Sequence, residues 1–150
     1  MLFRSKSVAL FNPSRDEVRQ FFCEAWQKHI NQSVLTPLET LACKWIEQHP
    51  EYHSTLNDPD QALQQEFNPE QGTSNPFLHL SMHLSISEQI SINQPPGIQV
   101  IAQQLSHKLD SEHEMHHQIM ECLGKALWDA QRSGQMLDTK SYLECIRKLF

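Results

Sequence analysis

Nine histidines are distributed over 150 residues, and three pairs of them lie four apart: His49/His53, His79/His83 and His113/His117. Random placement would give about 0.5 pairs at that spacing. Two imidazoles four residues apart share one face of a helix, and neutral imidazole is a ligand for zinc, iron, nickel or copper. The chemistry this pattern points to is coordination of a divalent transition metal. Pro50 interrupts the first pair, so a common helical face is not assured there. His79/His83 and His113/His117 remain.

Helices must position these pairs, and proline marks where they begin. Five of the eight prolines directly follow a residue of N-cap type: Asn12-Pro13, Thr36-Pro37, Asp58-Pro59, Asn68-Pro69 and Asn75-Pro76. The cap oxygen accepts from orphan amides of the first turn, and proline loses nothing at the first helical position. Glu39 and Gln61 stand at the third helical position of two of these starts, where they reach back to the cap. Ser14 with Glu17 forms a capping box that competes with the Asn12 start. The expected helices are 13–29, 37–49, 59–67, 76–92, 97–108, 111–133 and 139–149, with an irregular loop over 68–75. The fold class is all-α: a single-domain helical bundle of about six or seven helices over residues 11–150, with residues 1–10 as an N-terminal extension.

The segment NPFLHLSMHLSISEQISI alternates apolar and polar residues like a strand, but 17 residues without a turn signal from Pro76 to Ile92 are too many for an ordinary strand. Its apolar side chains surround the helix, which makes 76–92 a central helix. On it His79, His83, Ile86 and Ile90 form one strip; on 111–133, His113, His117, Met120 and Gly124 form another. If the helix 97–108 runs back between them, the two are roughly parallel and four imidazoles meet at one end of the bundle. The expected metal ligands are therefore His79, His83, His113 and His117. His53, His116 and Glu121, four beyond His117, are further candidates, and Glu47 or Glu51 weaker ones. Glu88 lies opposite the histidine strip.

A competing reading keeps the same histidines neutral and buried, bonded to serines, backbone carbonyls or one another. The chain would then be a non-catalytic module whose acidic segment or apolar helix faces bind a protein partner or form a homodimer. No His-Glu-x-x-His helix is present to favour a metalloprotease, and no catalytic residue is assigned.

Composition removes other classes. Twelve basic and eighteen acidic residues give a net charge of −6, and no Lys or Arg occurs between Lys44 and Lys108. Such a segment opposes a phosphate-tracking surface, so no nucleic-acid partner is expected. Four glycines, none in a phosphate loop, give no support to nucleotide chemistry. The apolar run near the N-terminus, Val8 to Phe11, is too short for a signal peptide, and no run suits a membrane span. Cys23, Cys43, Cys122 and Cys145 show no Cys-x-x-Cys pair and read as free, mostly buried thiols in a reducing compartment. The expectation is a cytoplasmic protein without a membrane partner. Arg15 and Arg19 read as solvated surface, and Trp26, Trp45 and Trp128 as core.

The stretches FNPSRDEVRQFFCEAW, TPLE, HPEYH, NPFLHLSMHL, QPPGI and HHQIMECLGKALWDAQRSG, taken in order, resemble a proteobacterial family known only as a domain of unknown function. The resemblance runs from Phe11 to the C-terminus and implies no activity. A looser, architectural similarity is to metal-dependent helical bundles related to DNA-damage-inducible bacterial proteins. It implies a three-histidine site in which His113 and His117 match the His-x-x-x-His helix and His79 or His53 is the third ligand.

Overall fold

The computed structural model describes residues 14–67 and 75–150, and every regular element among them is helical. They are α1 (Arg15–Ile30), α2 (Pro37–Glu47), a 3-10 turn (Pro50–Tyr52), α3 (His53–Leu56), α4 (Pro59–Gln64), α5 (Pro76–Ile92), α6 (Ile98–Leu109), α7 (Glu112–Ser133) and α8 (Thr139–Arg147). The Asn12 and Asn68 starts and the 1–10 extension lie outside the described residues. Ser14 and Thr36 each close a full capping box, with Glu17 and Glu39. Asp58 caps α4 through the Gln61 amide, and Asn75 Oδ1 accepts from the amides of Phe77 and Leu78 at the start of α5. These are the side-chain partners that the orphan amides of a first turn require.

The chain divides into two compact units, residues 1–84 and 85–150. In the first, α1 packs on α2 and α4 around Phe22, Trp45, Ile46, Leu56, Leu80 and Leu84, all fully buried. Arg19, expected at the surface, is only 4 % exposed. Its Nη1 donates to the carbonyls of Ala62 (2.7 Å) and Gln65 (2.8 Å), and its guanidinium lies 5.2 Å from the ring centres of Phe67 and Phe77. The C-terminal carbonyls of α4 have no helical partners, and Arg19 supplies them from α1. That need arises 43 residues away in the chain, out of reach of a local pattern.

In the second unit, α6, α7 and α8 pack on one another. The Gln-Pro-Pro-Gly turn is held by Asn93 Oδ1, which accepts from the amides of Gly97 and Gln99 at 3.1 Å each, while Gln99 Nε2 donates to the Ile90 carbonyl. Gly97 has φ +101°, a conformation that glycine reaches without strain. The Tyr142 hydroxyl donates to Gln89 Oε1 at 2.7 Å, tying α8 to α5. Cys122 and Cys145 form a disulfide between α7 and α8, with Cα atoms 5.8 Å apart. This corrects the expectation of four free thiols; only Cys23 and Cys43, both buried, are free. A separation of 23 residues carries no hint that packing of α7 on α8 would align the two.

Two expected ends shift. Helix α2 stops at Glu47 rather than at 49, because the residue before a proline is driven out of the α region, and Pro50 instead opens the 3-10 turn. Helix α4 stops at Gln64, where Gln65 turns extended. No helix among the described residues is long and apolar enough to cross a membrane.

Candidate metal centre

His79 and His83 stand one turn apart on α5, so both rings leave the helix on one side. A third ring reaches them from 30 residues earlier. His49 follows α2 in a non-helical conformation (φ −128°, ψ 67°) imposed next to Pro50. Its Nδ1 lies 2.7 Å from the carbonyl oxygen of Trp45. A carbonyl only accepts, so Nδ1 carries the proton and Nε2 presents a lone pair. A backbone carbonyl that fixes the far ring nitrogen in this way is the usual support of a metal-binding histidine.

The three Nε2 atoms converge. His79 Nε2 lies 3.1 Å from His49 Nε2 and 3.2 Å from His83 Nε2. One ring nitrogen of each residue is within 4.8 Å of the other two. A single proton on His79 Nε2 serves one neighbouring nitrogen well, or two weakly as a three-centre bond. A cation, by contrast, takes all three lone pairs. Zinc–nitrogen bonds of about 2.0–2.1 Å in a tetrahedron separate the nitrogens by about 3.4 Å, close to the spacing found here.

Aromatic rings hold the cluster in place. Trp45 stacks on His83 with centroids 4.2 Å apart and planes 12° apart, while Tyr52 stacks on His49 at 5.2 Å and 3°. Trp45 thus orients two of the three rings, one through its carbonyl and one through its indole. His49 and His83 are 3 % and 0 % exposed, and His79 is half-buried. Burial keeps competing water away and raises the cost of leaving the nitrogens to each other.

His53 turns from His49: its Nε2 lies 2.9 Å from the Ile46 carbonyl oxygen and its ring packs on Trp26 at 4.4 Å. In the second unit, His113 and His117 are side by side on α7, ring centres 4.2 Å apart, as their spacing implied. His116 is buried and Glu121 exposed on the same helix. His49 is the candidate ligand that the sequence pattern did not supply. Pro50 breaks the helical spacing of His49 and His53, and by ending α2 it aims His49 at α5.

Residues 14–148 match the model of the family described as "Domain of unknown function (DUF1841)". The chain belongs to the DUF1841 family. The match includes His49, His79 and His83 as well as His113 and His117, so every candidate ligand lies within the DUF1841 domain. No curated protein and no solved structure matches the chain.

Proposed function

We propose that this DUF1841 protein binds a divalent transition metal, with zinc, iron and nickel the candidates, through Nε2 of His49, His79 and His83. The observation that carries the reading is the convergence of three Nε2 atoms at 3.1 and 3.2 Å, one of them with its tautomer fixed by the Trp45 carbonyl. Imidazole nitrogens suit these metals, and three of them leave a coordination position for water or an exchangeable ligand. A metal so held lowers the pKa of bound water or polarises a carbonyl. By its sequence register, the second His-x-x-x-His pair, His113/His117, is expected to add a further nitrogen.

Calorimetric titration of zinc or nickel into untagged, chelator-treated full-length protein tests the proposal. About one ion per chain is expected, with binding lost in His83→Ala and in His79→Ala. His117→Ala is expected to weaken binding without abolishing it. Absence of binding to the folded wild-type chain overturns the proposal, as does equal binding by the His79 and His83 variants.

A further inference from the structure

The disulfide does not lie in a sealed core. Cys122 and Cys145 line a cavity of about 420 Å³ in the second unit, and its rim residues, among them Lys125, Asp129, Arg132 and Asp138, are exposed. Cys122 is 2 % exposed, and Cys145 is the more accessible of the two sulfur-bearing residues. Both halves of the bond therefore border one space that is open to solvent. Two cationic and two anionic groups surround the approach, a lining that matches a zwitterionic molecule better than a purely cationic or anionic one.

We propose that the Cys122–Cys145 bond is a thiol–disulfide exchange site, reached through this cavity by a zwitterionic low-molecular-weight thiol. The incoming thiolate attacks Sγ of Cys145; its sulfur bonds to that atom as the bond between the two protein sulfurs breaks, and the electron pair leaves on Cys122 Sγ. A second thiol attacks the mixed disulfide, departs as the oxidised dimer of the small thiol, and frees Cys145. Two electrons pass from two thiols to the protein, and two protons end on Cys122 and Cys145. Opening the bond removes the covalent tie of α8 to α7. Cys23 and Cys43 take no part: both are buried in the first unit, and burial, followed by the charges of Glu24 and Glu47 respectively, pushes each thiol up to about 11.

The test uses the folded, full-length chain incubated with millimolar reduced glutathione or, separately, 2-mercaptoethanol. Samples are quenched in acid, unfolded, alkylated and weighed intact. The chain is expected to pass from two alkyl groups, on Cys23 and Cys43, to four, and Lys125→Ala/Arg132→Ala is expected to slow glutathione several-fold while leaving 2-mercaptoethanol unchanged. Four alkyl groups before any reductant is added overturn the proposal. So does a count that stays at two until the chain is unfolded. Equal slowing of both thiols by the double variant overturns the assignment of a zwitterionic reactant.

Discussion

At the scale of single residues, two side chains have roles that their types alone do not announce. Trp45 reads as core and is fully buried, yet its ring and carbonyl also orient His83 and His49. Trp45→Leu keeps an apolar side chain but removes the stack; it is expected to cost about 2–4 kcal/mol in urea unfolding and to weaken metal binding about tenfold. Arg19 serves two carbonyls with one nitrogen. Arg19→Met keeps much of the packing against Phe67 and Phe77 but leaves those carbonyls unserved, for an expected loss of roughly 2–4 kcal/mol, read from the same unfolding curves. An unchanged midpoint would contradict that role. The two free thiols add a pH dependence of known sign. Each has a folded value of about 11 against an ordinary 9.0, so between pH 9 and 11 the unfolded chain loses protons that the folded chain retains. Stability is expected to be insensitive to these thiols below pH 9 and to fall across that window, and Cys23→Ala/Cys43→Ala should flatten the fall.

At the scale of elements, helix starts were legible because capping is local chemistry. Thr36-Pro37-Leu38-Glu39 contains all the parts of its own cap, and α2 begins where those four residues require. Thr36→Ala is expected to cost about 1 kcal/mol of stability. The His79/His83 face was legible for the same reason, since both residues belong to one helix. The contribution of His49 was not, because it depends on a helix ending and on a contact with a residue 30 positions away. The same limit hid the disulfide and the buried Arg19, which meet partners on other helices. Pro50 links the two levels. Pro50→Ala permits residue 49 to remain helical and swings its ring from α5; metal affinity should fall at least tenfold while stability changes by less than about 1 kcal/mol. Unchanged affinity in that variant would show that the proline does not aim the ring.

At the scale of the whole molecule, the all-α class followed from the punctuation of the chain, and one family domain spans residues 14–148. The disulfide and the proposed metal would cross-link different parts of that domain. The disulfide closes a loop of about two dozen residues in the second unit, worth about 3 kcal/mol by loop-closure entropy. A metal on His49, His79 and His83 would instead join the end of α2 to α5 within the first unit, and at a hundredfold excess over its dissociation constant would add about 2.7 kcal/mol.

X-ray absorption at the zinc edge, on untagged full-length protein loaded with one equivalent of zinc, tests the metal centre most directly. Imidazole nitrogens at about 2.0 Å, with that signature lost in His49→Ala/His83→Ala, are the predicted result. A hydrated zinc shell of oxygen neighbours alone, or an imidazole signature that survives the double variant unchanged, would contradict it.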